Sequence, residues 1–259
     1  MRALAAAFVI DPEIDRLRAA RETVLQRIAA ACSRASRPPS EVTLVAVSKT
    51  VPVERVRAGV AAGLTTLGEN RVQEAEGKVG DVDGATWHLV GPLQKNKARR
   101  ALEVFETIES VDSTALAERL DRIAAELRPN DRVPVLLQVN VDDDPSKTGF
   151  RPAGLEASLG AILDLPRLEV RGLMTIGRQV DRPEDARPTF VALRELSGRL
   201  RDRDARLGVQ LSMGMTDDFE VAIEEGATIV RVGRALFGER PHHHDHDHDH
   251  GSGEDDHPH

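Results

Sequence analysis

Apolar positions along this chain alternate between two rhythms. Residues 42–47 (V-T-L-V-A-V) are all apolar or β-branched, and the run stops at Ser48, Lys49 and Thr50. A run of that length without polar alternation reads as a strand covered on both faces, as strands of parallel sheets are. Comparable runs recur at 64–67, 86–90, 105–111, 133–141, 168–174, 208–212 and 227–232. Between them apolar residues return at helical spacing, over 51–62, 71–79, from about 94, and over 114–127, 152–163, 183–203 and 216–225. A short last helix ends near Gly238. An additional helix, 12–35, precedes the first strand, with Ile14, Leu17, Val24, Leu25 and Ile28 on one face and Pro38-Pro39 ending it. Strict strand–helix alternation implies a parallel sheet. Eight such units in roughly 200 residues predict a single closed (β/α)8 barrel of the TIM type with an extra N-terminal helix. A doubly wound open sheet is the alternative. It more often carries a glycine-rich first turn, whereas the turn here is S-K-T-V-P.

In such folds ligands collect at the carboxyl ends of the strands. Lys49 falls there, on the loop after the first strand, with Thr50 as the expected N-cap and Pro52 in the first turn of the next helix. It is either an ordinary solvated lysine or a functional amine. The loops after the seventh and eighth strands, the usual phosphate site of a barrel, read Ser212-Met213-Gly214-Met215-Thr216 and Arg231-Val232-Gly233-Arg234. Small residues there let backbone N–H groups approach a phosphate, and Ser212 adds a hydroxyl. Closing the barrel sets the eighth strand beside the first, so Lys49 faces this site. A lysine so placed either pairs with the phosphate or forms a Schiff base with an aldehyde cofactor carrying it, pyridoxal 5′-phosphate. Asn70 reads as an N-cap, with Gln73 completing a capping box, and also as a hydrogen-bonding partner for a cofactor ring. His88, inside the third strand, reads as a satisfied core histidine. Lys95, Lys97, Arg99 and Arg100 read as a solvated helix face.

Composition narrows the classes. There is no run of about 18 apolar residues, so no membrane span is expected, and Asp11 interrupts an apolar start too short for a secretory signal. Cys32 is the only cysteine, which excludes an internal disulfide and a thiolate metal cluster and makes the cytoplasm the expected location. The net charge of -8 is concentrated: six acids and no Lys or Arg follow Pro241, leaving 35 basic against 37 acidic residues before it. That body carries no overall nucleic-acid signature. Eight of the nine histidines lie in the low-complexity stretch 242–259. The division expected is therefore a barrel over 1–240 and a disordered His/Asp-rich tail over 241–259, able to bind zinc, nickel or cobalt loosely or merely incidental.

The stretches L-V-A-V-S-K-T, G-E-N-R-V-Q-E, W-H-L-V-G-P-L-Q-K-N-K, S-V-D-S, K-T-G-F, R-G-L-M-T-I, L-S-M-G-M-T-D-D and V-R-V-G-R-A-L-F-G run in order from about residue 42 to 239. In these the chain resembles the YggS/PROSC family of pyridoxal phosphate homeostasis proteins, related to the N-terminal barrel of alanine racemase. The resemblance implies a Schiff base at Lys49 and phosphate contacts, largely through backbone, from Ser212, Met213, Gly233 and Arg234. It also implies Arg231 near the pyridine nitrogen, Asn70 and Met174 around the ring, and a monomer. Arg234 departs from the pattern, which often has Thr there, and the His/Asp tail is outside it. A racemase reading meets two objections: the chain has no tyrosine for a second base, and the barrel ends near 240 with no second domain expected. A guanidinium beside the ring nitrogen also disfavours its protonation and weakens carbanion chemistry. The expectation is a non-catalytic cytoplasmic protein that stores, buffers or hands over the cofactor, with pyridoxal phosphate-dependent apo-enzymes as recipients. A racemase or related enzyme on a small amino acid is the alternative.

Overall fold

The computed structural model of the 259-residue chain describes residues 11–178 and 180–238. Helix α1 (Pro12–Arg34) comes first. Asp11 caps it by accepting the Glu13 N–H at 2.9 Å, and Pro12 stands where its missing N–H has no intrahelical partner to lose. Eight strands follow: β1 (Thr43–Val47), β2 (Thr66–Glu69), β3 (Thr86–Leu89), β4 (Thr107–Val111), β5 (Val133–Gln138), β6 (Leu168–Met174), β7 (Gln210–Met215) and β8 (Ile229–Val232). They pair in parallel, in chain order, and close into a barrel where Thr43 to Ala46 of β1 meet Ile229 to Val232 of β8. The helices between and after them are α2 (Val53–Ala61), α3 (Val72–Val79), α4 (Ala98–Val104), α5 (Thr114–Leu127), α6 (Pro152–Leu163), α7 (Arg187–Arg203), α8 (Phe219–Glu224) and α9 (Arg234–Phe237). This is the (β/α)8 barrel expected, and α1 is the extra helix, packed on α2, α8 and α9 around the β8–β1 closure.

Two apolar layers form as in any such barrel. Val45, Val90, Leu136, Met174 and Ile229 make a small inner cluster. A much larger layer lies between strands and helices, where each fully buried large side chain contributes about 1.5–3 kcal/mol. Among the described residues no helix is long and apolar enough to cross a membrane. Residues 241–259, read above as a tail, lie outside the described residues.

Three local expectations are corrected. Thr50 does not cap α2. It sits in the left-handed region at φ 63° and gives its N–H to Glu74 Oε2 at 3.1 Å, while Pro52 precedes the helix without a side-chain cap bond. Strand β2 reaches Glu69 rather than ending at residue 67, and an ion pair with Lys78 engages one oxygen of that buried carboxylate. Strand β7 begins later than expected and runs through Met213-Gly214-Met215, which the sequence reading took for the following loop. Gly214 has φ 90°, and a Cβ there would come within 2.6 Å of Ala222, so glycine lets the strand end pass under α8 while its pairing with β8 shifts register.

Candidate functional site

The loop carrying Lys49 is held from outside the barrel. Ser48 is fully buried and gives its N–H to Gly68 O at 2.9 Å, in the β1–β2 ladder. Its hydroxyl donates to Glu69 Oε1 at 2.7 Å, and its carbonyl accepts from Lys78 Nζ at 2.8 Å. Lys78 also pairs with the same Glu69 oxygen at 2.7 Å. Glu69 Oε2 is buried without a partner among the described residues. Burial pushes the Glu69 carboxyl above its ordinary range, against the opposing pull of Lys78 and Ser48. Lys49 is thus flanked by a residue fixed at three points and by Thr50 in an uncommon backbone conformation.

A second buried polar group runs through the barrel interior. His88 Nδ1 lies 2.6 Å from Glu109 Oε1. Ser212 Oγ donates to Glu109 Oε2 at 2.5 Å and accepts from Arg231 Nη1 at 2.6 Å. Arg231 Nη2 donates to the Thr175 carbonyl at 2.7 Å. Burial works to raise the Glu109 carboxyl. The His88 hydrogen bond and charge, the Arg231 charge and the Ser212 hydrogen bond together hold it below its ordinary value. Burial pulls the Arg231 guanidinium down, opposed by Glu109 and Asp218, and arginine remains cationic there. Because the carboxylate can only accept, His88 Nδ1 carries the proton between them.

Above this group, at the carboxyl ends of the strands, is a cleft of about 340 Å³. Lys49, Asn70, Arg231, Gly233 and Arg234 all line it. Five of the eight residues singled out in the sequence therefore meet in one cavity. Met174, Ser212 and Met213 are fully buried and are not on its lining. Met174 belongs to the inner apolar cluster, Met213 to the outer layer, and the Ser212 hydroxyl is engaged by Glu109 and Arg231. Asn70 forms no cap. The N-cap of α3 is Arg71, without a side-chain cap bond, and Asn70 is half-buried on the cleft wall. Gly91 makes room for it, since a Cβ there would lie 2.3 Å from the Asn70 carbonyl oxygen. The Arg234 side chain turns to the rim, where it pairs with Asp217.

His88 is the satisfied buried histidine expected, and Arg99 and Arg100 form exposed ion pairs with Glu126 and Glu76. The sequence reading missed Glu109, Thr175 and the Glu69–Lys78 pair. The one signal for Glu109 was an acid inside an otherwise strand-like run, I-E-S-V. Among the described residues no cluster of three His, Cys, Asp or Glu could hold a metal ion.

Comparison with known proteins bears on this geometry. Residues 22–241 match the family described as alanine racemase, N-terminal domain. The pyridoxal phosphate homeostasis protein of Aquifex aeolicus is 44% identical over 221 residues, 84% of this chain and 95% of that protein. The corresponding Pseudomonas aeruginosa protein is 45% identical over 222 residues, 84% of this chain and 93% of its own length. PipY of Synechococcus elongatus PCC7942, solved with PLP bound, is 43% identical, with a TM-score of 0.72 over 83% of this chain and 100% of that one. Alanine racemase of Clostridium difficile 630 shares the fold, at 15% identity and a TM-score of 0.68 over 88% of this chain and 58% of its own.

Proposed function

The chain belongs to the pyridoxal phosphate homeostasis proteins, within the alanine racemase N-terminal domain family, and from that membership we propose that it binds pyridoxal 5′-phosphate at Lys49 and serves vitamin B6 homeostasis. The observation that carries this reading is the cleft itself. It sets a lysine amine beside an arginine, an amide and a glycine turn in a chain 43% identical to a relative solved with PLP bound. The donor set suits the group. An aldehyde takes an amine, and a phosphate dianion takes backbone N–H groups and a cation. A Cβ on Gly233 would lie 3.3 Å from the Val47 carbonyl oxygen, so glycine lets this turn sit close to the end of β1 beside Lys49.

Lys49 is the residue that would hold the cofactor, through its amine and the cofactor's aldehyde. Gly233 and Arg234 would hold the phosphate through their backbone, with Ser212 and Met213 buried behind the lining at that end. Arg231 would face the pyridine nitrogen and Asn70 the ring, with Met174 buried beneath them in the inner apolar cluster. Bound this way, the cofactor supplies a reactive aldehyde in stored form. A cation fixed at the ring nitrogen disfavours protonation there and makes the ring a poor electron sink, and the sequence contains no tyrosine. Storage, buffering and delivery to pyridoxal phosphate-dependent apo-enzymes, by a monomer in the cytoplasm, follow better than turnover.

Borohydride reduction followed by peptide mass spectrometry tests the reading. The expected result is a reduced pyridoxyl group on Lys49, absent from Lys49→Ala. Protein that takes up no colour from added cofactor would refute it. Incubation of the loaded protein with L-alanine in deuterated water separates carrier from enzyme: negligible α-proton exchange is expected, and fast exchange would favour a racemase.

A further inference from the structure

We propose that Glu109 is a positioning residue that sets the electrostatic character of the cleft through Ser212 and Arg231. The inference rests on the reading of Lys49 and Arg231 given above. A barrel interior is ordinarily filled by aliphatic side chains, and Val45, Val90, Leu136, Met174 and Ile229 do that here. Replacing a buried charged group by apolar residues of similar volume is often neutral or stabilising, so stability alone is a weak reason for Glu109 and Arg231 to be inside.

Geometry supplies a better reason. Of His88, Glu109, Ser212 and Arg231, only Arg231 reaches the cleft. Both oxygens of Glu109 are engaged, one by His88 Nδ1 and one by the Ser212 hydroxyl, and Ser212 in turn accepts from the guanidinium. The hydroxyl is a bridge of one atom between carboxylate and guanidinium. With the Thr175 carbonyl it draws Nη1 and Nη2 back into the barrel. The carboxylate thus offsets the arginine charge from behind and limits how far the guanidinium leans toward a bound ring. The other charged groups around Arg231 are Asp218, beyond β7, and at the cleft Lys49 and the Arg234–Asp217 pair.

Removing the negative charge of Glu109 makes the cleft more positive, and a more positive cleft releases the proton of the Lys49-bound chromophore at lower pH. The test is a pH titration of the visible absorption of the loaded protein. Glu109→Gln is expected to move the midpoint of the colour change down by about one pH unit. Glu109→Asp, which keeps the charge, is expected to return the midpoint most of the way to that of the unsubstituted protein, and a purely structural role would not separate the two variants. An unchanged midpoint in folded Glu109→Gln overturns the proposal. Should that variant fail to fold, Ser212→Ala leaves the Glu109–His88 pair in place and cuts only the bridge. A smaller shift in the same direction is then expected, and a midpoint equal to that of the unsubstituted protein overturns the proposal. Failure of borohydride to fix cofactor on the unsubstituted protein would instead refute the Lys49 reading.

Discussion

Glu69 and Glu109 are both fully buried carboxylates on neighbouring parts of one barrel, yet their protonation is driven in opposite directions. Glu69 lies on the outside of the sheet against α3. Lys78 Nζ and Ser48 Oγ crowd a single oxygen, and the other oxygen has no partner among the described residues. Glu109 lies inside, with a donor on each oxygen and the Arg231 cation one hydroxyl away. Burial prevails where pairing is one-sided, and pairing prevails where both oxygens are met. The two networks share a purpose at different ends of the cleft. The outer one fixes the backbone beside Lys49, and the inner one fixes the guanidinium of Arg231.

Substitutions on either side put this contrast at risk. Arg231→Met strands an ionised Glu109 inside the barrel, and stability should fall by about 3–5 kcal/mol, read from the urea midpoint at neutral pH. Lys78→Met should cost less, about 1–3 kcal/mol, because burial already raises the Glu69 carboxyl and eases its protonation once the partner is gone. Equal losses in the two variants would erase the distinction.

The pH dependence of stability sharpens it. Glu109, held below its ordinary 4.5, contributes stability that is present above that value and lost as pH falls through its folded value. Glu69, raised above 4.5, contributes stability that is complete below that value and lost as pH rises through its folded value. Glu109→Gln should therefore flatten the acid-side loss of stability, and Glu69→Gln should remove a decline on the other side of 4.5. Urea unfolding followed from about pH 3 to 7 reads both slopes, and two variants that flatten the same arm would contradict the assignment. The smallest effect belongs to the surface. Arg99→Ala, which removes an exposed pair with Glu126, should change stability by about 0.5 kcal/mol or less in the same unfolding experiment.

The sequence by itself determined the eight-unit alternation, the position of Lys49 after β1, and the presence of Arg231, Gly233 and Arg234 at the end of β8. Each of these is written in local order: hydrophobic period, run length, and the residues that interrupt a run. The motif resemblance added the expectation of pyridoxal phosphate as the ligand. Only the tertiary structure decided which polar groups face each other. Glu109 and Ser212 are 103 residues apart, and nothing in the neighbourhood of either names the other. The same holds for Arg231 and the Thr175 carbonyl, 56 residues apart. Strand ends were misread for a related reason. Gly214 looked like a turn and Glu69 like a loop residue, because the features that keep them in strands, the approach of α8 and the amine of Lys78, come from other elements. Periodicity reports which face of an element is buried; which charge a buried carboxylate keeps depends on the groups that closure of the barrel brings to each of its two oxygens.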